Sequence, residues 1–171
     1  MSQQQNHERT RSLLLGLAAA LALGLAQSAS AQQDPIYLDA DAAEIDQSTG
    51  VSVYTGNVVL TRGERELRGD RMTVHTDDQR NLSRIEVSGS PAEFVRPQSS
   101  EGPAVRGQAP RIEYYASGPE RILLLDGGTV LRGADRFTGE TIRYDVEADV
   151  VDARGGGSDG SRVRITLFPE N

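Results

Sequence analysis

Residues 51–74 read VSVYTGNVVLTRGERELRGDRMTV, and this stretch decides the fold of the chain. Apolar residues alternate with polar ones at Val51/Val53, Val58/Leu60 and Met72/Val74, and Gly56, Gly63 and Gly69 interrupt them. Period-two alternation punctuated by glycine describes short antiparallel strands with one face buried. Similar wording returns at residues 128–144, GTVLRGADRFTGETIRY. An offset of 70 pairs Gly63 with Gly133, Leu67 with Phe137, Gly69 with Gly139, Asp70 with Glu140, Met72 with Ile142 and Val74 with Tyr144. Upstream, an offset of 67 pairs Ala42 with Ala109 and Ile45 with Ile112. A hairpin-sized unit cannot bury its apolar face alone and must stack on its neighbours, so the repetition predicts one continuous sheet.

The rest of the chain agrees. Pro35 precedes an edge strand at Ile36-Tyr37-Leu38, where its missing N–H is tolerated. Residues 96–107, RPQSSEGPAVRG, read as the longest loop, and residues 162–168, RVRITLF, as a final alternating strand. No 3.6-residue pattern persists for ten residues. The expected fold is all-β, a jelly roll or folded-over antiparallel sheet with an apolar interior.

Composition narrows the function. Residues 13–26 form an uncharged run after Arg9 and Arg11, and Ala29-Ser30-Ala31 supplies an A-x-A exit, so residues 1–31 read as a cleaved signal peptide. The run is too short for the ~20 residues that span a bilayer. Of 18 basic and 25 acidic residues, the first 31 hold Arg9, Arg11 and Glu8, so residues 32–171 carry 16 − 24 = −8. That charge disfavours nucleic acid as a partner, because phosphate backbones select basic faces. There is no cysteine and no Trp, and 37% of the residues are hydrophobic, which suits a one-faced sheet better than a thick core.

Catalysis finds little support. His75 is the sole histidine after residue 31 and falls on the face opposite Met72 and Val74. No metalloprotease, nucleophile-elbow or phosphate-loop motif appears, so no catalytic residue, metal site or cofactor is expected. The turn at 155–160, GGGSDG, is a single copy of what calcium sites repeat in tandem, and Asp39/Asp41 and Asp77-Asp78 read as solvated charge. The terminal strands, by contrast, leave sheet edges open to a partner strand.

The segments VYTGNVVL at 53–60, LRGD at 67–70 and IRYD at 142–145 resemble the OstA-like domain of the LptA family of periplasmic lipopolysaccharide-transport proteins. The resemblance spans residues 34–169 and makes residues 32–171 one OstA-like domain. It implies an open β-jelly roll whose apolar trough holds the acyl chains of lipid A. It also implies edge-to-edge self-association, bridging an inner-membrane component of the LptC type to an outer-membrane translocon of the LptD type. The A-x-A site separates the chain from the anchored LptC type, and its end at Asn171 from the barrel-bearing LptD type. Exposing an acyl chain costs ~0.8 kcal/mol per methylene, so a lipid crossing an aqueous compartment needs such shielding. The charge of −8 suggests a carrier that holds tails and not phosphates.

The expected trough residues are Ile36, Leu38, Ile45, Val53, Val58, Leu60, Met72, Val74, Ile85, Val87, Phe94, Ile112, Tyr114, Leu124, Phe137, Ile142, Tyr144, Val163 and Ile165. A bulge at Gly56 or Gly89 would swap faces there. The expected partner edges are Ile36, Tyr37 and Leu38 at one end and Val163, Arg164, Ile165, Thr166 and Leu167 at the other. Two other readings are an edge-paired polymer without cargo and a jelly-roll glycan enzyme or carbohydrate-binding module, the latter disfavoured by the absence of Trp.

Overall fold

The computed structural model describes residues 34–100, 102–156 and 162–169; the expected signal peptide and most of the glycine-rich turn lie outside them. In chain order the strands are β1 Ile36–Asp39, β2 Ala42–Asp46, β3 Val51–Arg62, β4 Arg65–Thr76, β5 Leu82–Arg96 and β6 Val105–Tyr115. There follow β7 Arg121–Leu125, β8 Gly128–Arg132, β9 Asp135–Gly139, β10 Thr141–Asp145, β11 Val150–Arg154 and β12 Arg164–Thr166. They form one antiparallel sheet that does not close, in the order β1-β3-β4-β5-β6-β7-β10-β11, with β2 beside β3, β8 between β6 and β9, and β12 beside β9.

The sheet folds over because β3 to β6 are long and creased near their middles. Residues 51–55 of β3 pair with β2, and residues 59–62 with β1. Residues 111–115 of β6 pair with β7, and residues 105–108 with β8. One half-sheet therefore ends in β2 and β11, the other in β1 and β12. The register shifts where the strands cross the crease, between Thr55 and Val58, Arg68 and Arg71, and Ser88 and Ala92. At the crease Gly56 and Asn57 take positive φ of 80° and 46°, a conformation that glycine and asparagine tolerate best. Gly69 and Gly139 are there for space: a Cβ on Gly69 would lie 2.6 Å from the Ser88 carbonyl oxygen, and one on Gly139 2.9 Å from that of Arg154. Pro110 sits in β6 where ladder pairing lapses, so its missing N–H costs nothing.

The 70-residue repeat is real in space. Gly63 and Gly133 turn the β3–β4 and β8–β9 hairpins with φ of 56° and 58°, and Gly69 and Gly139 both lie at the crease. The 67-residue offset holds only in part: Ile45 and Ile112 both face inward, but Ala42 pairs with Thr55 on the outer face while Ala109 is buried. The loop expected at 96–107 is shorter than its composition suggests. Arg96 ends β5 and Val105 begins β6, because Val105, Gly107 and Ala109 alternate inward with Val105 only 1% exposed.

Candidate functional site

Cross-strand pairing aligns inward residues into rows that run the width of the sheet. In the first half-sheet one row is Ile45–Ser52–Val74–Ile85–Tyr114–Ile122–Tyr144–Val151. The row beside it is Ala43–Tyr54–Met72–Val87–Ile112–Leu124–Ile142–Ala153. In the second half-sheet the main row is Leu38–Leu60–Leu67–Phe94–Gly107–Val130–Phe137–Ile165. The two faces meet: a Cβ on Gly107 would lie 3.1 Å from Leu124 Cδ2 of the opposite half-sheet. Together they make one apolar interior, closed along the crease and flanked by two open ends.

Of the expected trough residues, Val58, Leu60, Met72, Ile85, Val87, Phe94, Ile112, Tyr114, Leu124, Ile142 and Tyr144 are buried in one cluster, with Leu38, Val74 and Phe137 packed against it. Val53 is a correction. It pairs with Thr73 on the outer face, and its neighbour Tyr54 packs inward. The crease in β3 keeps Tyr54 and Val58 on the same face, whereas β4 changes face between Leu67 and Met72. Ile36, Ile45, Val163 and Ile165 are exposed, because they stand at the ends of the sheet where no next strand covers them.

Sequence reasoning missed Leu67, Ala92, Val105, Ala109, Ile122, Val130 and Val146, all buried. Two were within reach of the repeat: Leu67 is the counterpart of Phe137, and Val130 stands 70 residues beyond Leu60. It also missed two edges. β2 is exposed along its whole length, and β11 forms the other margin of the first half-sheet. All the exposed large hydrophobic residues among those described lie at these two ends: Ile36, Tyr37 and Ile45 at one, Val150, Val163, Ile165, Leu167 and Phe168 at the other.

Away from the crease, polar clasps tie the half-sheets together. Arg65 Nη1 donates to Glu120 Oε1 at 3.0 Å and Oε2 at 3.2 Å, and the Tyr114 hydroxyl donates to Glu120 Oε1 at 2.9 Å. The second clasp repeats the first. Arg132 Nε donates to both oxygens of Asp149 at 3.0 Å, its Nη2 bonds Oδ2, and the Tyr144 hydroxyl donates to Oδ1 at 3.1 Å. Burial, aided by the adjacent carboxylates, pushes Tyr114 and Tyr144 up to about 12. Hydrogen bonds from Arg132 and then Tyr144 hold Asp149 below its ordinary value. The other polar candidates are structural: Asp77 accepts the backbone N–H groups of Gln79 and Asn81, Asp41 accepts from the Asn57 amide, and His75 Nε2 lies 3.2 Å from Glu86.

An unclosed antiparallel sheet folded over a continuous apolar interior, with hydrophobic strands at both ends, defines the class: an open β-jelly roll. Residues 37–150 match the family described as LptA/(LptD N-terminal domain) LPS transport protein. The lipopolysaccharide export system protein LptH of Pseudomonas aeruginosa is 32% identical over 155 residues, covering 90% of this chain and 87% of its own. LptA of Escherichia coli K12 is 28% identical over 137 residues, 79% of this chain and 71% of its own. The crystal structure of LptH, the LptA-homologous periplasmic component of the conserved lipopolysaccharide transport device of Pseudomonas aeruginosa, superposes with a TM-score of 0.72. It covers 80% of this chain and 96% of that one at 28% identity. The chain belongs to the LptA/LptD N-terminal domain family of lipopolysaccharide transport proteins.

Proposed function

We propose that this protein carries the lipid A part of lipopolysaccharide across the periplasm, its acyl chains lying between the two half-sheets. In this reading residues 1–31 are the export signal, and residues 32–171 act as a non-enzymatic carrier and bridge. Copies join edge to edge, the β1/β2 end meeting an inner-membrane component of the LptC type or another copy. The β11/β12 end meets the next copy or an outer-membrane translocon of the LptD type. The observation that carries the reading is the run of the inner rows. They extend from one sheet edge to the other and end on uncovered residues such as Ile45 and Ile165. Stacking copies head to tail joins the rows into one apolar path, and a heterologous contact of that kind does not close on itself.

The interior is well filled as it stands, and the apolar crevice at its rim measures about 20 Å³, room for one water. Acyl chains therefore enter as the half-sheets part along the clasped side. Photo-crosslinking residues at Ile112, Tyr114 and Phe137 in cells test the reading. Capture of lipopolysaccharide by any of them supports it, and failure of all three in a normally folded protein removes it. The filled interior also suits a cargo-free polymer. Depletion separates the two, since loss of a carrier makes new lipopolysaccharide accumulate at the inner membrane.

A further inference from the structure

Two cavities of opposite character meet at the tip of the β3–β4 hairpin. The first is the apolar crevice, walled by Leu60, Leu67 and Phe94 of one half-sheet and Leu82, Ile85 and Tyr114 of the other. The second is a polar cavity of about 360 Å³ on which Arg62, Arg65 and Arg96 converge, beside Asp34 and Glu64. Arg62 and Arg65 line both. Arg65 already pairs with Glu120 at 3.0 Å and Arg96 lies 3.9 Å from Asp149, so an anion entering the cavity would meet Arg62 first and would have to compete for Arg65. Arg96 is held deep beside the cavity by partners of its own: its side chain is 6% exposed, Nη2 donates to the Pro103 carbonyl oxygen at 3.0 Å and lies 3.9 Å from Asp149 Oδ1, and only its buried Nε has no hydrogen-bond partner.

We propose that Arg62 and Arg65 receive a phosphate group of an acylated glycolipid whose chains enter the adjoining crevice, with Arg65 exchanging Glu120 for that phosphate. This rests on the carrier reading and adds a headgroup site to it. The exchange is chemically balanced. Arg65 keeps a charge-assisted partner, and Glu120 keeps the hydrogen bond from the Tyr114 hydroxyl at 2.9 Å. It also couples loading to opening, because the Arg65–Glu120 bond is one of those that tie the β3–β4 hairpin to the turn after β6. A cavity of this size accommodates a sugar as well as the phosphate it bears, which favours a glycolipid over a phospholipid.

Equilibrium binding to the purified exported protein tests the site with three probes: bisphosphorylated hexa-acyl lipid A, the same lipid with both phosphates removed, and phosphatidylglycerol. The wild type is expected to prefer the bisphosphorylated lipid by about tenfold, the scale of a charge-assisted contact. R62Q/R65Q loses that preference, read as the ratio of the two affinities, whereas R62K/R65K retains it. Glu120→Gln frees Arg65 and raises the ratio of phosphorylated to dephosphorylated affinity. Equal wild-type affinity for both lipid A forms, or preference surviving in R62Q/R65Q, overturns the proposal while leaving the carrier reading intact. No binding of either form overturns the carrier reading itself. Phosphatidylglycerol bound as tightly as the phosphorylated lipid A overturns the glycolipid assignment. Should R62Q/R65Q fail to fold, Glu120→Gln decides: an unchanged preference for the phosphorylated over the dephosphorylated lipid overturns the exchange.

Discussion

Ile45 on β2 and Val151 on β11 are the two ends of one inward row, joined through six intervening cross-strand partners. Ile45 is 60% exposed although it points to the inner face, because no strand lies beyond β2. In the proposed edge-to-edge assembly, an aspartate there places charge where the next copy's apolar row would continue. Ile45→Asp is expected to weaken self-association by at least about tenfold, read by sedimentation as a shift to monomer. Stability of the monomer should change by no more than about 0.5 kcal/mol, since the residue is exposed.

The crease makes a separate prediction. A methyl group on Gly69 would fall 2.5 Å from Val87 Cγ1 and 2.6 Å from the Ser88 carbonyl oxygen, with backbone on one side that has no room to yield. Gly69→Ala should cost roughly 1–3 kcal/mol in chemical denaturation, the range for overpacking. The same substitution at Gly118, where nothing stands within 4 Å, meets only the strain of its φ of 72° and should cost less.

The interior makes a third. Ile112 and Met72 are fully buried at the centre of one row. Ile112→Ala should destabilise by about 2–5 kcal/mol. The cavity it leaves lies on the proposed acyl path, so affinity for a lipid need not fall in proportion, and the ratio of the two effects separates wall from mere core.

The clasps predict the pH limits of stability. Tyr144 is raised to about 12, chiefly by burial, so the folded state favours the protonated phenol. Its contribution is complete below pH 10 and is lost as pH rises towards 12, roughly 1 kcal/mol by pH 11. Tyr144→Phe should flatten that alkaline loss. Asp149 behaves oppositely: it is lowered by the Arg132 bonds, so its contribution is present above about pH 4 and lost as pH falls further. Asp149→Asn should flatten the acid limb, and urea midpoints from pH 2 to pH 11 report both.

Much of this fold was legible in the chain. Alternation at Val58/Leu60 and Met72/Val74 marks strand faces, and the 70-residue repeat foretells two equivalent hairpin tips and the matching crease glycines Gly69 and Gly139. The edges were only half legible. Ile36 and Ile165 could be placed at termini, but β2 and β11 could not, because neither their order nor their pairing is local information.

What the sequence by itself determined is the class: period-two apolar patterning with glycine breaks allows one folded, one-faced sheet and little else. Tertiary structure decided which residues face inward across each crease. Face parity there depends on how many residues a bend consumes: β3 keeps its parity from Tyr54 to Val58, which turns Val53 outward, whereas β4 changes face between Leu67 and Met72. It also decided the polar clasps, since Arg65 and Glu120 lie 55 residues apart and meet only because the sheet folds over. Patterning acts between neighbours in the chain, whereas a charge finds its partner across whatever the fold brings within reach.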